Sequence, residues 1–159
     1  PTSFRAVEID GEAYWDGGYM GNPALYPLFY ATRSADLLLV QINPLHRTDV
    51  PDTPQEILDR TTEISFNASL LHELRAIDFV QRLLDERRVD PKLYKRIHLH
   101  VIEAEEALRR YGASTRAITT RGFLAELYEL GRKAATQWLE SSLHHVGHSA
   151  SVRIADRFL

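Results

Sequence analysis

The 159-residue chain contains no cysteine. That excludes disulfides, thiolate nucleophiles and cysteine-ligated metals. It suits a reducing compartment, so the expectation is a cytoplasmic protein. Long apolar runs are also lacking. The longest is Leu37–Val40, extended past Gln41 to Ile42, far short of the roughly 20 residues of a membrane span. Peripheral contact is the most a membrane is expected to receive. No block of like charge stands out either: 19 Lys and Arg against 22 Asp and Glu give a net charge of -3. A nucleic-acid partner wants a clustered basic face, so that class is set aside. Seven histidines make the balance more positive below about pH 6.5. The opening Pro1-Thr2-Ser3 shows no signal-peptide pattern. Without a methionine, and running straight into a strand-like stretch, it reads as the start of a fragment or processed chain.

The apolar share of 44% and charged share of 26% are those of a globular domain, and the length suits one domain. Phe4–Ile9 and Glu12–Trp15 read as two strands. The Asp10-Gly11 between them is a strong hairpin signal, because both turn positions need positive φ. Ala24–Ala31 is predicted to be a short helix with Pro27 in its first turn. The run Asp36–Ile42 reads as a strand buried on both faces, as in a helix-covered parallel sheet. Thr53-Pro54-Gln55-Glu56 then starts a long helix with a capping residue, a proline at the first helical position and a capping box. That helix is predicted to run to about Arg88 with Ile57, Ile64, Leu70, Leu71, Leu74, Ile77 and Leu84 as its apolar stripe. Arg96–Ile102 follows as another strand, with Ile97, Leu99 and Val101 on one face and His98 and His100 on a polar face. Arg121–Val146 reads as a last helix ended by Gly147, and Ser151–Leu159 as a tail. Strands alternating with long helices give an α/β class.

The segment Tyr14-Trp15-Asp16-Gly17-Gly18-Tyr19-Met20-Gly21-Asn22-Pro23 carries the most chemical information. An acidic residue leaves a strand end into two glycines, which is where ligand sites form in open α/β sheets. A carboxylate held there serves as a general base or orients one. The plainer reading is a turn, since Asp-Gly is a common turn dipeptide. Phe4 through Asn22 resembles the end of the patatin-like phospholipase domain, whose last motif is Asp-Gly-Gly or Asp-Gly-Ala. Gln41-Ile42-Asn43-Pro44, Arg60-Thr61-Thr62-Glu63-Ile64-Ser65-Phe66-Asn67 and the ending Gly147–Leu159 resemble a bacterial branch of that family.

The resemblance implies part of a three-layer α/β/α sandwich with a mixed or mostly parallel sheet. The chain would be the C-terminal part of a single domain whose nucleophile-bearing part is absent. It implies a serine–aspartate dyad acting on acyl esters through an acyl-serine, with Asp16 as base, Gly17 and Gly18 supporting it, and no cofactor. The family's Gly-x-Ser-x-Gly elbow and glycine-rich oxyanion loop do not occur here, so the chain alone is expected to be inactive. The expected partners are a lipid or acyl-ester substrate, the missing part or a companion chain, and a second copy. The competing reading is a non-catalytic folded fragment or degenerate lipid-binding module.

Other constellations have plainer readings. Gly147-His148-Ser149-Ala150-Ser151 imitates a nucleophile elbow, but a helix precedes it where an elbow needs a strand. His144, His145 and His148 have partial metal-ligand spacing without a completing carboxylate; no metal site is expected. Arg60, Glu63 and Asn67 share a helix face and are expected to tie the helix to the sheet. His46 and Arg47, in a loop after a strand, are candidates for a head-group contact.

Overall fold

The structure, a computed structural model, describes residues 4–112, 115 and 117–159, with Tyr30 described by its backbone alone. Residues 1–3, 113, 114 and 116 lie outside the described residues.

The chain opens with an antiparallel hairpin of β1 (Val7–Ile9) and β2 (Glu12–Tyr14), with Val7 opposite Tyr14. The intervening Asp10 and Gly11 have φ of 53° and 82°, the values that the Asp-Gly turn requires. The helix α1 (Tyr26–Ala31) follows with a proline in its first turn. Its carboxyl end is held by the Lys95 ammonium, which donates to the carbonyls of Phe29, Thr32 and Ser34.

The second sheet is the core of the molecule. β3 (Asp36–Gln41) pairs in parallel with β4 (His98–Glu103), in a register that sets Leu37 beside Leu99 and Leu39 beside Val101. The connection between them is α2 (Pro54–Asp85), so the three elements form a βαβ unit. The expected start of α2 is present in full: Thr53 accepts from the Glu56 amide and Glu56 reaches back to the Thr53 amide. α2 ends at Asp85, and Arg87 turns the chain with φ of 56°. Leu70, Leu74 and Ile77 of α2 pack on Leu37, Leu39, Leu99 and Val101. The other face of β4 meets α4 (Arg121–Ser142), where Trp138 packs edge-on against His100 at 6.0 Å between ring centroids. A four-residue helix, α3 (Glu105–Leu108), leaves β4.

Three expectations are corrected. β3 is buried on one face only: Leu38, Val40 and Ile42 stay exposed, because α4 covers β4 and no described element covers that side of β3. The buried apolar stripe of α2 begins at Leu70, leaving Ile57 and Ile64 exposed. Its earlier turns lie against loops, where Glu63 and Asn67 take the buried positions instead. The supposed tail contains a fifth helix, α5 (Ile154–Phe158), whose Ile154 and Phe158 enter the core beside α2. Two apolar residues four apart are too short a signal to separate a helix from a tail.

The result is a mixed α/β fold around a small parallel sheet. No described helix is long and apolar enough to cross a membrane.

Candidate functional site

Asp16 lies two residues past the end of β2 and caps a single 3-10 turn, Gly17–Tyr19. Its carboxylate oxygen Oδ1 accepts the Gly18 amide at 2.8 Å, and the residue is solvent-exposed. No ion pair engages it among the described residues. A Cβ at Gly18 would stand 3.0 Å from that oxygen and 3.1 Å from Cε1 of Phe66, so a side chain there would press on both.

The loop that carries Asp16 is fastened to α2 by residues 66, 69 and 73, which share one helix face. Tyr19 packs on Phe66 at 5.7 Å between ring centroids. The Asn22 amide donates to Ser69 at 3.0 Å, and the Leu25 and Tyr26 amides donate to the Glu73 carboxylate at 2.8 and 2.7 Å. One carboxylate oxygen of Asp16 is thus held in place on an anchored loop while the group as a whole faces solvent. Ser69 and Glu73 were not singled out in the sequence, although their helical spacing from Phe66 was visible there.

Glu63 is a buried carboxylate, 4% exposed. Arg60 donates to it at 3.2 Å, and Arg47 engages both of its oxygens. Arg47 also donates to the carbonyls of Arg109 and Tyr111. It is therefore not available for a head group, and that expectation is corrected: the guanidinium folds inward because Glu63 has to be neutralised. Asn67 donates to the Pro44 carbonyl at 2.8 Å, holding the loop after β3 to α2. His46 keeps an exposed ring, with its amide on Glu105 at 3.0 Å.

The histidines of β4 differ from the polar face expected of them. His100 is 1% exposed. Its Nε2 lies 3.1 Å from Asp36 and its Nδ1 lies 3.1 Å from the Ser151 hydroxyl. Asp36 accepts, so Nε2 carries a proton; in the neutral ring Nδ1 then accepts from Ser151. Asp36 also accepts the Gly147 amide at 2.9 Å. That amide first, and His100 second, hold the Asp36 carboxyl below its ordinary range.

A serine, a histidine and an aspartate in one hydrogen-bonded chain imitate a hydrolase triad, but the surroundings do not support that chemistry. The imidazole is sealed under Trp138, and the Ser151 and Val152 amides already donate to the Leu99 carbonyl. Neither is left to stabilise an oxyanion. The network pins the C-terminal segment to the sheet. The helix expected to run to Val146 ends at Ser142 and a 3-10 turn, Leu143–His145, follows; Ser149 of the imitation elbow lies 2.8 Å from His145 Nδ1, past Gly147 with φ of 80°. The rings of His144 and His145 face each other at 4.1 Å between centroids, and no group of three or more potential metal ligands gathers among the described residues.

No protein-family model, curated protein or solved structure matches the chain.

Proposed function

We propose that the chain carries the base of a serine–aspartate lipid acyl hydrolase. The observation that carries this reading is Asp16: a solvent-facing carboxylate just past a strand, one oxygen fixed by Gly18 and no ion-pair partner among the described residues. A base of this kind needs one free oxygen and a fixed direction. The helices α2 and α5 on one face of β3–β4 and α4 on the other are the order of layers in an α/β/α sandwich, and we read the fold as part of one. The apolar strip Leu38, Val40 and Ile42 is the surface on which the serine-bearing part would pack.

In this reading a serine outside the present sequence attacks the ester carbonyl and its proton passes to Asp16. The tetrahedral intermediate expels the alcohol, which takes that proton. Water then attacks the acyl-serine, giving its proton to Asp16 and returning the acid and the free serine. The substrate class is an acyl ester of a lipid, and no cofactor enters the scheme. The test is a fluorophosphonate probe applied to the full-length gene product, followed by intact-mass and peptide analysis. The reading expects one labelled serine in a Gly-x-Ser-x-Gly elbow; an unlabelled protein sinks it.

The second reading, a non-catalytic lipid-binding module, draws on one observation: an apolar cavity of about 410 Å³ whose lining does not include Asp16.

A further inference from the structure

A second cavity, of about 270 Å³, lies against α2, α5 and the loop after β3, and it shares no lining residue with the larger one. Its volume is just under the roughly 300–1,000 Å³ of ordinary small-molecule sites, so it suits a short ligand. α2 supplies one wall. Arg60, Ile64, Ala68, Leu71 and Arg75 recur every three to four residues, which places them on one stripe of the helix. Ile64 to Arg75 covers about three turns. The cavity is therefore a groove along the helix, with Arg75 at one end. Leu45 and Phe158 line it as well, from the loop and from α5.

Charge gives the groove its preference. Every acid or base in the lining is a base: Arg60, Arg75, Arg157, His46 and His72. A cleft lined by one sign of charge concentrates ions of the other. Three of the five are already engaged. Arg60 pairs with Glu63, Arg157 with Glu103 and Glu105, and His46 lies 3.5 Å from Glu105. Those carboxylates stand outside the lining. Arg75 has no ion pair or hydrogen bond among the described residues. One unengaged guanidinium matches one negative charge, and its planar fork fits a carboxylate through two parallel N–H···O bonds. Leu71, Ala68 and Ile64 lead away from it along the stripe. Ile64 is 54% exposed, apolar surface that an aliphatic tail would cover.

We infer that this groove binds a short aliphatic carboxylate, its carboxyl group on Arg75 and its chain over Leu71, Ala68 and Ile64. The inference goes beyond the hydrolase reading and does not rest on it. Asp16 is outside the lining. Its loop is fastened through residues 66, 69 and 73, which at 3.6 residues per turn face away from this stripe. Failure of either claim leaves the other standing.

Calorimetric titration of the full-length gene product at pH 8 with octanoate, octanol and octylammonium tests it. Octanoate is expected to bind saturably. Octanol is expected to bind roughly tenfold or more weakly, because it lacks the charge-assisted pair, and octylammonium more weakly still, because the lining repels it. Arg75 is exposed, so Arg75→Gln is expected to leave the melting temperature unchanged. It should weaken octanoate roughly tenfold and leave octanol as it was. Ile64→Glu, also at an exposed position, sets a carboxylate in the groove and is expected to abolish octanoate binding. Absence of saturable octanoate binding, octanol or octylammonium binding as tightly as octanoate, or undiminished octanoate binding by folded Arg75→Gln or Ile64→Glu protein would each overturn the inference.

Discussion

His100 stands between Asp36 and Ser151, each of its ring nitrogens 3.1 Å from an oxygen, and so joins the first core strand to the C-terminal segment through the middle of the sheet. Asp36→Ala removes a partner of the buried imidazole and the acceptor of the Gly147 amide together. It is expected to cost about 2 kcal/mol in urea denaturation, against about 1 kcal/mol for Ser151→Ala. In the hydrolase reading, ester hydrolysis by the full-length gene product is expected to survive Ser151→Ala unchanged. Loss of hydrolysis in that variant would make the triad-like chain catalytic after all.

The acid limb of the stability profile follows from two carboxylates held low. Asp36 is depressed by the Gly147 amide and His100. Burial pushes Glu105 up, but Arg157 and the His46 amide outweigh it and hold it at about 2, down from an ordinary 4.5. Both groups favour the folded state when ionised. The Glu105 contribution is therefore complete above the ordinary carboxylate range and is lost as pH falls from about 4.5 towards 2, and Asp36 acts in the same direction. For Glu105 that is on the order of 2–3 kcal/mol. Arg157→Met should flatten this limb; an unchanged slope between pH 4.5 and 2 would contradict the assignment.

Glu63 is expected to behave as a buried ion pair does. Glu63→Ala leaves two inward-facing guanidiniums without their shared anion and should cost about 3–5 kcal/mol. Arg47→Met should cost a similar amount, and the double variant Arg47→Met with Glu63→Leu much less than the sum. Additive losses in a denaturation cycle would show that the two groups do not depend on each other.

Gly147 holds φ of 80° after α4, a conformation that disfavours a side chain by roughly 1–2 kcal/mol. Gly147→Ala should lower stability by about 1 kcal/mol, and Gly131→Ala, inside the helix with free space at its Cβ, should raise it by about 0.5–1 kcal/mol. A thermal-melting comparison of the two variants with opposite signs is the expected result. Shifts of the same sign would contradict the local conformations.

Much of the local structure was legible in the sequence. Asp10-Gly11 marked the hairpin, and Thr53 through Glu56 marked the start of α2, because turns and caps are decided by a few adjacent residues. Burial was less legible. Leu37 to Ile42 looks the same whether one face or two are covered; the answer depends on where α4 lies, which the strand does not encode. The partners of His100 are 51 and 64 positions away, beyond any periodicity. The candidate site divides the same way. Asp16, Gly17 and Gly18 stand out as a motif. The anchoring of their loop through Phe66, Ser69 and Glu73 is tertiary, and Glu73 reads in the sequence as one more charged residue on a helix surface.

Gly18 links the motif to that anchoring. Gly18→Ala presses on both the Asp16 carboxylate and the Phe66 ring, each of which has to give by a few tenths of an ångström. In the hydrolase reading it is expected to reduce ester hydrolysis by the full-length gene product by roughly an order of magnitude, by misdirecting the proposed base, with a smaller effect on melting. Full activity in a folded Gly18→Ala protein would show that the direction of Asp16 does not matter.

The most direct test of the central claim is the turnover of a short-chain acyl ester by the full-length gene product with and without Asp16→Asn. Asp16 is exposed, so the substitution should change stability by no more than about 0.5 kcal/mol. The hydrolase reading predicts a fall in kcat of about 10²–10⁴-fold with the melting temperature unchanged. Unchanged turnover in a folded Asp16→Asn protein would contradict it and leave Asp16 as the residue of a turn.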